Sequence, residues 1–211
     1  MRNMMQMKKV ILLRSAYRRG LGIFFSQLWM TIADVLLRRK FLIFRIDARD
    51  VTKFDTSGLP VLDCREITQW EDMPNHLRAR LEDPAEGLEW GQKSWFGQNR
   101  RCWLGELDGQ PACLMWWLDH TESEHFFYDV PEDAEILFQT VIFPEFRGRR
   151  LYYSLLSDLM RARMSNGIKA FYGSCHEYNT TPARNMSRLG FKYIGAVRES
   201  RLTGRRRWIP T

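Results

Sequence analysis

"FPEFRGRRLYYSLLSDLM", Phe143 to Met160, decides how this chain is read. An apolar run ends at Pro144, and three residues later Arg147, Gly148, Arg149 and Arg150 open a helix expected from about Arg149 to Ser165. Asn166-Gly167 is its stop signal. Strand, tight loop and helix start together make a general anion site. The first amide N–H groups of a helix lack partners, and the helix dipole aims at the same spot. Gly148 lets the loop turn and lets a phosphate approach the backbone. Arg147, Arg149 and Arg150 add charge-assisted donors. The stretch therefore suggests a phosphate or pyrophosphate ligand, the alternative being a solvated basic helix cap.

Working outward, "ILFQTVIF" (136–143) reads as the apolar strand feeding the loop. Two further strands, Arg101–Leu107 and Gln110–Leu118, flank Asp108-Gly109, a strong hairpin signal. "VLDCREI" (61–67) alternates as a half-buried strand does, and "TQWE" (68–71) reads as a capping box opening a helix through about Leu81. A weaker helix is expected from Pro84 to about Gln98. After the long helix come a strand, "IKAFYGSC"; a short helix, "NTTPARNMSRLG"; and two strands, "FKYIGAVRES" and "RRRWIP". "FLIFRID" (41–47) is an additional buried strand, and "SGLP" (57–60) a turn. This order predicts an α/β (α+β) layer fold on one mixed sheet. The expected division is a basic amphipathic helical extension (1–40), an additional strand and linker (41–60), and the main domain (61–211).

Charge is unevenly placed. Of the 211 residues, the first 40 hold nine Lys or Arg and one acid, a net of +8, and the remainder nets −1. A nucleic-acid partner would want a basic face on the folded body, so none is expected. Four cysteines without C-x-x-C or zinc-like spacing predict free thiols in a reducing, cytoplasmic setting and no metal.

"GLGIFFSQLWMTIA" (20–33) is uncharged but too short to span a bilayer, which takes about 20 apolar residues. As a helix it places Gln27, Thr31, Asp34 and Arg38 on one stripe, with Leu21, Phe24, Phe25, Leu28, Trp29 and Ile32 over most of the rest. Arginines and lysines flank it on both sides. Two readings follow: an interfacial helix on an anionic membrane, making the protein peripheral to it, or a helix packed on the body or on a partner chain, a homodimer included.

The loop and the element order resemble the GNAT acyltransferase superfamily, whose acyl-CoA loop reads roughly V-x-P-x-x-[RQ]-G-x-G-x-[GA]. "IFPEFRGRRLY" carries Ile142 at the valine, then Pro144, Arg147 and Gly148. "NTTPARNMSRLGF" keeps the N-x(10)-G-F spacing from Asn179 to Gly190-Phe191. The likeness covers about residues 61–205. It implies a mostly antiparallel twisted sheet flanked by helices. It also implies acetyl-CoA or another acyl-CoA as co-substrate and no metal. The backbone of Val141, Ile142 and Phe143 would pair with the pantetheine. Arg147, Gly148, Arg149, Arg150, Leu151 and Tyr152 would hold the pyrophosphate, and Asn179 would contact the cofactor. The acceptor implied is a small-molecule amine attacking the thioester directly, an amino sugar being first choice by similarity to members associated with cell-envelope polysaccharide synthesis. The alternatives are a longer-chain transferase at a membrane, or a non-catalytic acyl-CoA-binding module.

Two departures matter. Arg150 stands at the second glycine and Tyr152 at the following small residue, both expected in helical φ/ψ. In the last helix, Met186 occupies the position of the usual tyrosine acid, and Gln139 that of a strand carboxylate. The expected proton handlers are therefore His176 or Glu177 in "SCHEY" (174–178), with Gln139 orienting water or acceptor. A Cys175-His176 nucleophilic pair is disfavoured, since neighbours on a strand face opposite sides. The acidic loop 119–135, with His120 and His125, would attract a cationic amine or simply be solvated.

Overall fold

The computed structural model describes Leu21, Phe25, Leu28, Trp29 and residues 39–83, 93–96, 100–121, 129–200 and 205–211. Most of the 1–40 extension, the expected helix at 84–98 apart from residues 93–96, and His125 in the acidic loop lie outside these residues.

Eight strands make one sheet in the order β2-β3-β4-β5-β6-β1-β7-β8. They are β1 (Arg39–Asp47), β2 (Asp63–Ile67), β3 (Arg101–Leu107), β4 (Gln110–Asp119), β5 (Ala134–Ile142), β6 (Ala170–His176), β7 (Lys192–Glu199) and β8 (Arg206–Pro210). Every neighbouring pair is antiparallel except β5–β6. The mixed, mostly antiparallel sheet expected from the sequence is thus present. The strand at 41–47, expected as an addition, sits within that same sheet, between β6 and β7.

Helices α1 (Ala48–Val51), α2 (Asn75–Glu82), α3 (Lys93–Phe96), α4 (Leu151–Ser165) and α5 (Thr180–Arg188) complete the described elements, with short 3₁₀ turns. α4 crosses from β5 to β6 and is the long helix of the fold. Leu151, Leu155, Leu156, Leu159 and Met160 fall on one stripe and are all buried. At about 1.5–3 kcal/mol each, they contribute on the order of 10 kcal/mol of gross apolar burial. One core cluster holds this stripe, with Phe143, Cys175 and Met186. A second, smaller one, around Phe41, Ile43, Ile136 and Tyr172, draws on alternate residues of β1 and β6 and so lies on the opposite face of the sheet.

Asp108 (φ 54°) and Gly109 (φ 74°) both take left-handed backbone, as a two-residue hairpin of this type demands. The capping box at Thr68 does not form. The Thr68 hydroxyl instead donates to the Asp72 carboxylate at 3.3 Å, and residues 70–72 make a 3₁₀ turn. Pro74 explains the difference: it holds Met73 extended (ψ 140°), so α2 starts only at Asn75.

At the far end of the β5–α4 unit, Glu135 is 1% exposed and receives the Arg163 guanidinium at 2.6 Å and 2.9 Å. Burial pushes this carboxyl above its ordinary range, with Arg163 opposing.

Candidate functional site

β5 and β6 pair only from Ala134↔Ala170 to Leu137↔Gly173. Beyond that, β5 stays with β4 as far as Ile142↔Cys113, and β6 stays with β1 as far as His176↔Phe41. The two strands part, leaving residues 138–142 and 174–176 without each other. The parting coincides with a bulge. Met115 pairs with Thr140 and Trp116 with Phe138, so Gln139 is skipped, and it takes φ 43°. A bulge of this kind bends the strand and breaks the ladder.

A cleft of about 410 Å³ fills the gap. Leu137, Gln139, Ile142, Tyr152, His176 and Asn179 are among its walls. Its walls come from both faces of the sheet: Phe41 and its register partner His176 lie on the face of the smaller core, whereas Cys175 and Met186 lie on the α4 face. Cys175 and His176 therefore both border the cleft although they point to opposite sides. Burial pushes the Cys175 thiol up to about 11, which keeps it a neutral thiol rather than a nucleophile.

The loop Phe143–Arg150 runs from the end of β5 to α4. Val141 and Phe143 are buried and are not among the cleft residues, whereas Ile142 between them is. Gly148 has φ 82°, and no atom lies within 4 Å of the position a Cβ would take. Arg150 is the N-cap of α4 with φ 61° and ψ 18°, and it makes no side-chain cap hydrogen bond. The expected helical backbone at Arg150 is thus corrected: it adopts the left-handed conformation that glycine takes at little cost, while Tyr152 is helical.

The three arginines diverge. Arg147 Nε donates to the Ile142 carbonyl at 3.2 Å, and the Arg149 guanidinium lies 5.5 Å from the centre of the Phe146 ring. Arg150 turns away and donates to the Gly58 carbonyl at 2.9 Å. From the other side Arg80 of α2 grips Glu145 at 2.6 Å and 3.2 Å and covers the Phe143 ring at 4.5 Å, clamping the loop. Leu151 is buried in the core.

At the other wall, Asn179 stands at the N-cap position of α5 without a side-chain cap hydrogen bond, and its N–H donates to the His176 carbonyl at 2.9 Å. The His176 ring stacks on Tyr178 (5.0 Å, 10°) and lies 4.3 Å from Phe41. Glu177 is not among the cleft residues; its carboxylate pairs with Lys40 at 3.0 Å. Met186 packs its sulfur against Gly173, where a Cβ would stand 2.8 Å from it. Sequence reasoning missed Thr140, Ser174, Thr181 and Asn185 as cleft residues. The placing of Thr140 and Ser174 beside the bulge has no local signal, whereas the four-residue spacing of Thr181 and Asn185 could have put both on one face of α5. Tyr152 also borders the cleft, and burial raises its phenol above the ordinary range.

No protein-family model matches the sequence, and no curated protein matches it. Solved structures do. A conserved Staphylococcus epidermidis protein of unknown function is similar over 80% of this chain, at 12% identity and a TM-score of 0.53. A tandem GNAT protein from the clavulanic acid biosynthesis pathway is similar over 85%, at 14% identity and a TM-score of 0.51. The match spans 64% and 56% of those two chains. The fold is that of the GNAT acyltransferases.

Proposed function

We propose that the protein is an acyl-CoA-dependent N-acyltransferase. The observation that carries this reading is the parting of β5 and β6 at the Gln139 bulge, directly upstream of a left-handed loop at a helix start. The unpaired edge at 138–142 offers backbone groups to a pantetheine arm. The open space at Gly148, the uncapped start of α4, and Arg147 and Arg149 suit a pyrophosphate. Val141, Ile142 and Phe143 would serve through backbone, Leu151 and Tyr152 through their amides, and Asn179 from the opposite wall. Because the cleft has walls from both sheet faces, the acyl donor and the amine would enter from opposite sides.

In such a site the amine attacks the thioester carbonyl; the C–N bond forms, the C–S bond breaks, and the thiolate leaves. His176 takes the acceptor proton, with Glu177 held on Lys40 and Gln139 at the bulge orienting the acceptor. The chain's main contribution is to position the two reactants. An acetyl group is the first choice of acyl chain and an amino sugar or related small amine the first choice of acceptor. The apolar walls at Leu137, Leu156, Met186 and Phe191 favour, as a second reading, a longer chain. Calorimetry with CoA tests the binding site. Turnover of acetyl-CoA against palmitoyl-CoA with a panel of amines separates the two chain lengths. A folded protein with no affinity for CoA would overturn the proposal.

A further inference from the structure

Leu21, Phe25, Leu28 and Trp29 are helical, and Leu21, Phe25 and Trp29 each stand 61% exposed. At about 100° per residue, two steps of four keep these three within about 80° of one another on one helix face. Among the described residues, only Val61 and Tyr193 are comparably open large apolar side chains, and they lie elsewhere. Three apolar side chains aligned on one face are a concentration that soluble surfaces rarely leave without a use.

Charge selects the occupant. Residues 1–40 carry nine Lys or Arg against one acid, while the rest of the chain nets −1. A second copy of this chain would bring a second +8 to the same contact and repel it. An anionic bilayer complements both features, because the apolar stripe enters the headgroup boundary, where tryptophan is favoured, and the flanking arginines and lysines meet the phosphates. We propose that the Leu21/Phe25/Trp29 face docks on an anionic lipid bilayer, with its helix lying in the membrane plane. No helix among the described residues is long and apolar enough to cross one. Ten residues after Trp29 the chain enters β1, where Lys40 pairs with Glu177 and Phe41 lines the cleft beside His176. The proposal does not rest on the acyltransferase reading.

The test is co-sedimentation of the full chain with phosphatidylglycerol vesicles and with phosphatidylcholine vesicles, at low and high salt. Wild type is expected to bind the anionic vesicles, more weakly as salt shortens the Debye length. Leu21→Ser/Phe25→Ser/Trp29→Ser is expected to lower the partition coefficient by about a hundred-fold, the loss of three apolar insertions. In a fold-neutral arm, brominated acyl chains are expected to quench wild-type fluorescence more than that of Trp29→Phe. The proposal is overturned if wild type ignores anionic vesicles at low salt, or if the triple variant, still folded by circular dichroism, binds as well as wild type. Equal quenching of wild type and Trp29→Phe would overturn it too. So would a wild-type dimer that the triple variant dissolves while neither sediments with lipid.

Discussion

The Arg150 guanidinium donates to the carbonyl of Gly58 across 92 residues of chain. The segment after β1 thereby straps the loop that starts α4, and Arg161 adds a second tie to the Thr56 hydroxyl at 3.4 Å. An L-residue at φ 61° carries backbone strain, and the strap helps to hold Arg150 in that conformation.

Arg150→Gly removes the strap but also removes the strain, worth about 1–2 kcal/mol for an L-residue in left-handed backbone. CoA affinity is expected to stay within about three-fold of wild type, less than 1 kcal/mol. Arg150→Ala keeps the strain and loses the strap, so it is expected to lower the melting temperature and weaken CoA binding. Calorimetry and thermal melts of the pair check this. An Arg150→Gly variant that loses CoA binding by ten-fold or more would mean that the arginine itself contacts phosphate.

The space around Gly148 is open, so the cost of a side chain there lies in φ 82° rather than in crowding. Gly148→Ala is therefore expected to cost about 1–2 kcal/mol and Gly148→Asn less, since asparagine tolerates this conformation. Valine is expected to be worst of the three, because branching at Cβ makes positive φ a genuine outlier. Urea denaturation midpoints give the order.

His176→Gln is expected to lower turnover by roughly 10²–10⁴-fold and to flatten the rise of rate with pH. The sign follows from the role: a base works unprotonated, so activity climbs as pH passes through its pKa. Glu177→Gln breaks an exposed ion pair with Lys40 and is expected to leave turnover within a few-fold. A pH–rate profile for both variants with acetyl-CoA and an active amine distinguishes them.

Glu135→Gln leaves the partly buried Arg163 (side chain 14% exposed) without its counter-charge and is expected to destabilise by about 3 kcal/mol, the low end for breaking a buried pair. Replacing both, Glu135→Met with Arg163→Met, is expected to recover most of that loss, since an apolar pair of similar volume needs no desolvation. Chemical denaturation of the single and double variants reads the difference.

How far the sequence discloses this arrangement depends on the residue. The Asp108-Gly109 hairpin and the Asn166-Gly167 helix stop are local chemistry, so they stand where spacing puts them. The Gln139 bulge is not local. Nothing in "ILFQTVIF" marks one residue for left-handed backbone, because the bulge arises from how β4 pairs with β5. Arg150 is similar: an arginine at positive φ is intelligible only once Gly58 is beside it. The displaced start of α2 could have been read, since Pro74 forbids the helix through it. The loop between β5 and α4 was legible as a strand-to-helix turn, whereas the separate directions of its arginines, with Arg147 on Ile142 and Arg149 on Phe146, required the packed chain.

The four register pairs between β5 and β6 are a narrow seam joining two antiparallel half-sheets, β2–β5 on one side and β6, β1, β7 and β8 on the other. Beyond the seam β5 and β6 form no ladder with each other, so amides at 138–142 and 174–175 that face the gap should exchange with deuterium early, ahead of the rest of their strands. A molecule seated between them becomes, in effect, a ninth strand. Its arrival would be recorded as slowed exchange on both walls at once, without any chemistry having taken place.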